Sequence, residues 1–205
     1  MDHAKIGLSQ DELNLVTNPE VILTKNAIIE KSYQLFGDLS MWMQVELKPL
    51  GKELNDALVI PPKISRGENY LGLPYVILDY PRYFRHHDIF AIRTMFWWGN
   101  FISMTLHLKG NFREQYHERI VAKHEEIANA GFYAGIGEDE WDHHFGDDNF
   151  MAVNMIDLDE WVALYEARSF TKLALKFPLE KWNDMPFLLT GAFQKILDVL
   201  KKIEN

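Results

Sequence analysis

The sequence predicts an α+β fold in which a mainly antiparallel sheet is packed by several helices. Two β-rich runs flank Gly99 and Asn100, a pattern typical of a β-hairpin. Helical and strand patterns are also segregated along the chain instead of alternating regularly. The chain has 205 residues, 47% of them hydrophobic, and no linker-like stretch rich in Ser, Gly or Pro. We therefore expect a single domain over residues 1–205.

Two capping patterns predict the first helices. Ser9 and Glu12, three residues apart, have the spacing of a capping box. Asn18 followed by Pro19 provides a second helix start, because proline is tolerated at the first helical position. An apolar stripe then predicts a long helix that extends toward Pro49. The stripe consists of Ile22, Ile29, Tyr33 and Phe36.

The hairpin has arms at residues 89–98 and 101–109. If Gly99 and Asn100 form a two-residue turn, Trp98 lies opposite Phe101 and Arg93 lies opposite Leu106. This register places Arg93 on one face with apolar side chains of the second arm. Further strands are predicted at residues 70–80, 132–137, 150–156 and 170–177, the last with Lys172 and Lys176 on an exposed face.

Three helices are predicted in the second half of the chain. One covers residues 112–130 and ends at Gly131, which suits the left-handed position after a helix. Asp157 and Glu160 form another capping box, for a short helix that continues to about Arg168. The last helix is amphipathic and covers residues 185–203.

The net charge of −9 arises from one segment. Residues 138–160 contain nine acids and no Lys or Arg, whereas the rest of the chain holds 21 acids and 21 bases. Nucleic-acid binding needs Lys and Arg side chains for the phosphates, so we expect no nucleic-acid partner. The acidic segment is either a solvated loop paired with arginines of this chain or a surface that docks a basic protein partner.

The N-terminus and the hydropathy predict a soluble, cytoplasmic protein with no membrane association. Met1 is followed by Asp2, His3 and Lys5 instead of the apolar run of a signal peptide. The apolar stretches are too short to cross a bilayer. The absence of cysteine excludes disulfides and thiolate metal ligands.

Two histidine pairs raise the hypothesis of a metal site. One pair precedes Asp88, and the other lies among the acids of residues 138–148. Adjacent side chains point in different directions, so each pair supplies one ligand at most. The spacing matches no known signature, so we expect no cofactor. The alternative is a metal-assisted hydrolase that joins loops 82–88 and 138–148 around Zn, Mn or Fe. Its candidate ligands are His86, Asp88, His144 and Asp147.

Basic side chains on apolar faces predict a pocket instead. A helical wheel of residues 112–130 places Arg113, His117 and His124 within the arc of the apolar face. Only two residues separate this helix from the hairpin, so it can lie across the face that carries Arg93. A buried cation needs a carboxylate, carbonyl oxygens, water or a ligand. The predicted ligand-binding residues are Arg93, Arg113, His117 and His124.

Two interpretations of these four residues remain. In the structural one, the arginines pair with core acids such as Asp79 or Glu46 and the histidines bond to backbone groups. In the functional one, the protein is a soluble binding or interaction domain with a pocket for an acidic small molecule or anion. A homodimer or protein partner is the further expectation if Trp98 and Phe101 are exposed at the hairpin tip. No substrate or reaction follows from the sequence.

Overall fold

The described strands form one open antiparallel sheet, and the α+β class is confirmed. The computed structural model describes residues 6–50, 54 and 57–202. Across the sheet the order is β1-β2-β3-β4-β7-β5-β6, so a late strand lies between β4 and β5. The strands are β1 (Lys63–Tyr70), β2 (Leu73–Phe84), β3 (Ile89–Trp97), β4 (Phe101–Lys109), β5 (Tyr133–Gly135), β6 (Phe150–Ala152) and β7 (Phe170–Pro178).

Three α-helices of the described residues begin where the capping patterns predict. Ser9 and Asp157 each form a complete capping box, and Asn18 caps the helix that opens with Pro19. The helices are α1 (Gln10–Val16), α2 (Pro19–Glu46), α3 (Asn111–Ala122), α4 (His124–Asn129), α5 (Leu158–Ala167) and α6 (Met185–Leu200). Short 3-10 helices lie at Lys48–Leu50, Val153–Met155 and Leu179–Asp184. Within the described chain, none of the helices has the length and apolar character needed to cross a membrane.

One face of the sheet, which we call the helix face, carries the main hydrophobic core. Its side chains alternate along the strands and pack under α2, α3 and α6. Full burial of each large apolar side chain contributes about 1.5–3 kcal/mol to stability. The helix-face residues of the central strands are Phe90, Ile92, Phe96, Ile102, Met104, Leu106, Leu108, Leu173 and Leu175.

Helix α2 contributes only part of its predicted stripe to this core. Ile29 and Phe36 are buried and Tyr33 is half-buried, but Ile22 is 56% exposed. The prediction for Ile22 was therefore wrong, because the first turns of α2 have no buried residue. The N-terminal end of α2 thus contributes little to the core.

The hairpin exists, but its predicted register was wrong by one residue. Its loop has three residues, Trp98 to Asn100, so that Trp97 lies opposite Phe101 and Arg93 lies opposite Thr105. A shift of one residue moves every side chain of β4 to the other face. The second face, which we call the loop face, therefore carries Thr105 and His107 beside Arg93, and the apolar residues of β4 lie on the helix face.

A lysine breaks the helix predicted over residues 112–130. The chain leaves helical geometry at Lys123, which separates α3 from α4. The Lys123 ammonium donates hydrogen bonds to the carbonyl oxygens of Asp198 (2.5 Å) and Lys201 (2.9 Å). These carbonyls have no partner inside α6, and a cation at a helix C-terminus also interacts favourably with the helix dipole. Lys123, at the break between α3 and α4, thus caps the C-terminal end of α6.

Gly110 lies between β4 and α3, and Gly99 lies in the hairpin loop. Substitution of each tests how closely the backbone of Gly110 packs against the carbonyl group of His87. Both have positive φ (60° and 70°), but a Cβ on Gly110 would lie 2.2 Å from the His87 carbonyl oxygen, whereas one on Gly99 meets nothing within 4 Å. We expect Gly99→Ala to cost about 1–2 kcal/mol from the left-handed backbone alone. Gly110→Ala should cost at least about 3 kcal/mol, because a close backbone contact is added to the strain. Urea unfolding measures both values, and equal losses would contradict the contact.

Candidate functional site

The loop face carries a buried ion pair between neighbouring strands. Asp79 on β2 lies directly opposite Arg93 on β3. The guanidinium donates from Nε to Asp79 Oδ1 (2.7 Å) and from Nη2 to Asp79 Oδ2 (2.9 Å). This forked geometry satisfies both carboxylate oxygens and leaves Nη1 of Arg93 available for another acceptor. Asp79 is the core acid that the structural interpretation named for an arginine.

Two further basic side chains lie on the same face of the adjacent strands. His107 on β4 and Lys172 on β7 are opposite one another and are 5% and 2% exposed. Lys172 was predicted to be exposed, because alternation with leucines indicates only which face a side chain occupies. The prediction was wrong because the loop face is covered over Lys172.

The cover is the acidic segment itself. Residues 136–149, which we call the covering loop, connect β5 to β6 and lie on the loop face. Glu140 of this loop accepts hydrogen bonds from Lys109 Nζ (2.6 Å) and His107 Nε2 (3.2 Å). The backbone oxygen of Asp142 accepts a hydrogen bond from Lys172 Nζ. One carboxylate of the acidic segment therefore neutralises a cation of the sheet, Lys109.

Tyr70 and a group of aromatic rings hold the covering loop in place. The Tyr70 hydroxyl oxygen accepts hydrogen bonds from the backbone N–H groups of His143 (2.6 Å) and His144 (3.0 Å). Phe145 stacks on Phe150 with ring centroids 4.5 Å apart, and Trp141 packs against the His107 ring at 5.6 Å. The loop is thus fixed to the sheet at both polar and apolar positions.

His143 completes the site and is held in its neutral form. Its Nε2 lies 2.7 Å from Arg93 Nη1, and because a guanidinium only donates, this nitrogen accepts. Burial, followed by the charges of Arg93 and Lys172, holds the pKa of His143 well below 6.5. Burial and the charges of Lys172, Arg93 and Lys109 lower the pKa of His107 to about 3. Both imidazoles are therefore neutral at physiological pH.

Lys172 is a buried cation near three carboxylates, those of Asp142, Asp139 and Glu140. Within the described residues it forms no ion pair with a carboxylate, and its recorded hydrogen bond goes to the Asp142 carbonyl. Its ammonium also lies 4.9 Å from the centre of the Phe150 ring. Burial lowers the pKa of Lys172 to about 8, although the nearby charge of Asp142 raises it. A lysine at this pKa is still mainly protonated at pH 7.

A small cavity lies between the sheet and the covering loop. It has a volume of about 10 Å³, enough for roughly one water molecule. The nitrogen-bearing side chains of its lining are those of four residues, Arg93, His107, His143 and Lys172. We call these four residues, with Asp79, Lys109 and Glu140, the charged site.

Arg93 is the only one of the four predicted ligand-binding residues that lies in the charged site. Arg113 donates through Nη2 to the backbone oxygen of Tyr165, and the His117 ring lies 6.3 Å from the Tyr165 ring. His124 Nε2 lies 2.9 Å from the carbonyl oxygen of Ile156. These three helix residues contact α5 and the segment before it. Of the three, His124 bonds a backbone group as the structural interpretation expects, whereas Arg113 contacts a backbone carbonyl instead of a core acid.

The sheet separates Arg93 from those three residues. Phe90 contacts Phe112 and Tyr116 of α3, which places α3 on the helix face. Arg93 is an odd number of positions from Phe90 along β3 and therefore points to the loop face. The structure does not bring the four predicted residues into one pocket. Within the part of the chain that the structure describes, Nε of Arg113 and Nδ1 of His117 are buried and have no hydrogen-bond partner.

The alternative metal ligands have other contacts in the structure. Asp88 accepts hydrogen bonds from the backbone and side-chain nitrogens of Asn111 (2.7 and 3.3 Å), and the His86 ring packs against His87. His144 lies 4.0 Å from Asp142, whereas Asp147 is exposed. Over residues 6–50, 54 and 57–202, no three His, Asp or Glu side chains are grouped so that they could hold a metal ion.

The sequence interpretation missed His107, His143 and Lys172 as members of one site. A three-residue hairpin loop would have placed His107 beside Arg93, and the Trp98-Gly99-Asn100 stretch permits that choice. The covering loop could not be placed from local patterns, because its position depends on contacts with distant strands. No known family model matches the chain, and no curated protein is significantly similar to it in sequence.

The lowered pKa of His107 predicts a loss of stability in mild acid. The imidazole takes up a proton near pH 6.5 in the unfolded chain but only near pH 3 in the folded one, so stability falls as the pH drops from 6.5 toward 3. At pH 5 this amounts to about 2 kcal/mol. We expect urea unfolding between pH 7 and 5 to show a shallower loss in His107→Gln than in the parent. Equal slopes would show that the His107 imidazole is not excluded from protonation.

The metal hypothesis is tested by adding ions after chelation. We expect Zn²⁺, Mn²⁺ and Fe²⁺ to leave the melting temperature unchanged, because Asp88 is occupied by Asn111 and His144 lies apart from a three-ligand group. A saturable rise of several degrees with one ion, lost in His144→Gln but retained in His117→Gln, would support the hydrolase alternative.

Proposed function

We propose that the protein is a binding domain whose ligand is a small acidic molecule held at the charged site. The observation that carries this proposal is Lys172, a buried cation that lacks a carboxylate partner among the described residues and borders a cavity. An unpaired buried charge is costly, so an acidic ligand would gain a strong interaction there.

The ligand's acceptor atoms would replace atoms of the covering loop. The Asp142 carbonyl oxygen and His143 Nε2 are neighbouring acceptors that now occupy Lys172 Nζ and Arg93 Nη1. A carboxylate or phosphate has two oxygens that can bind two such donors together. Arg93 would keep its forked bond to Asp79 and offer only Nη1.

The small cavity limits how such a ligand can enter. A volume of about 10 Å³ holds a water-sized group, so any larger acid requires the covering loop to move away from the sheet. Movement of residues 142 and 143 would free both donors at once, because these adjacent residues provide both acceptors. Binding would therefore be coupled to a change in the loop, and the affinity would be reduced by the cost of releasing its present contacts.

Lys172→Met tests the proposal against Lys176→Met, a matched control. Lys176 lies four residues further along β7 and on the same face, but it is exposed and its ammonium lies over the Tyr133 and Phe145 rings. Formate, acetate, succinate and phosphate are compared with chloride at equal ionic strength. We expect one of these acids to raise the melting temperature of the parent and of Lys176→Met, because a ligand at 100 times its Kd adds about 2.7 kcal/mol.

The same acid should leave the melting temperature of Lys172→Met unchanged. Stabilisation that survives Lys172→Met would place the acid elsewhere on the protein. No response of the parent to any of the acids would contradict the proposed function.

A further inference from the structure

A second, larger cleft lies on the helix face, beside the tip of the β3–β4 hairpin. It has a volume of about 410 Å³, which falls within the usual range for small-molecule sites. Its walls come from three parts of the chain: helix α2, the hairpin tip and the 3-10 helix at Leu179–Asp184. The side chains that line it include Ile28, Lys31, Phe96, Trp98, Leu179 and Trp182.

The lining of this cleft is almost entirely apolar. Phe96 is buried beneath it, with its ring 6.1 Å from the Trp98 ring and 5.7 Å from the Trp182 ring. Both tryptophans are half-buried, so each presents part of its ring to the cleft. Burial of apolar area against such rings favours an apolar ligand.

Lys31 introduces one positive charge at this apolar cleft. Its side chain is exposed, and no ion pair or hydrogen bond within the described residues is recorded for its ammonium. Asp38 lies seven residues further along α2, about 10.5 Å away by helical rise, and lines the neighbouring depression. An acidic group in the cleft would therefore meet Lys31 first.

We propose that this cleft binds an apolar molecule that carries one acidic group, with the apolar body between Trp98 and Trp182 and the acid on Lys31. The site is independent of the charged site, because Phe96 points to the helix face and Arg93 to the loop face. A ten-carbon acid has twelve non-hydrogen atoms and occupies roughly 360 Å³, at about 30 Å³ for each water-sized group, which fits the cleft volume of about 410 Å³.

Two matched pairs of compounds test the acidic group and the apolar body separately. Decanoate is compared with decan-1-ol, and 2-naphthoate is compared with 2-naphthol, by isothermal titration calorimetry at pH 7. We expect the acid of at least one pair to bind about threefold to fivefold more tightly than its alcohol, because an ion pair near solvent contributes less than about 1 kcal/mol. The pair that binds identifies the body as aliphatic or aromatic. If decanoate binds, each methylene added from octanoate onward should tighten binding about fourfold.

Lys31→Gln should remove the preference for the acid without weakening the alcohol. Lys181→Gln is the control, because Lys181 is an exposed lysine beside Trp182 that does not line the cleft. Trp182→Ala should weaken the acid and the alcohol alike, by about tenfold or more. Its melting curve verifies that the variant is folded.

Three outcomes would overturn the proposal. Absence of binding by both pairs at millimolar concentration would show that the cleft is not a site for such molecules. A preference for acid that survives Lys31→Gln would remove Lys31 from the site. A parent that sediments as a dimer and becomes a monomer in Trp182→Ala would show that a second copy of the chain occupies the cleft.

Discussion

The requirement that buried cations have polar partners governs how the covering loop lies on the sheet. Lys172 and Arg93 are placed on the loop face by the alternation of their strands, and neither is left exposed enough for full hydration. The loop meets that requirement with the Asp142 carbonyl for Lys172 and the His143 imidazole for Arg93. Its Glu140 carboxylate pairs with Lys109. The many acidic residues of the loop suggest a solvated segment, but at least one of them, Glu140, has a structural role. The covering loop therefore both shields the cations of the loop face from solvent and provides polar partners for them.

Local signals predicted the helix starts well. Capping depends on residues two or three positions apart, so Ser9, Asn18 and Asp157 could be identified without knowledge of the rest of the fold. The fold class followed from the segregation of helices and strands, and the final helix from its amphipathic pattern. Lys123 shows the limit of such patterns. It lies at a helix break, and its ammonium bonds the carbonyl of Asp198, 75 residues away in sequence, a contact that no local pattern reveals.

Prediction of the charged site from the sequence depended on the length of the hairpin loop, which the sequence leaves open. Trp98 is compatible with either a strand or a loop, and that choice decides whether His107 or Leu106 joins Arg93 on one face. Arg93 was correctly singled out as a cation in need of a partner, but its neighbours were assigned to the wrong side of the sheet. Long-range contacts of the covering loop then added His143, which no periodicity could have placed.

The position of β7 determines when the charged site can be completed. This strand pairs with β4 on one side and with β5 on the other, although both precede it in sequence. The meander from β1 to β4 consists of neighbours along the chain and can assemble by local contacts. The covering loop follows β5, whose attachment to the rest of the sheet runs through β7. During synthesis Arg93 and Lys109 therefore precede Lys172, and the charged site is complete only after β7 has emerged and paired with β4.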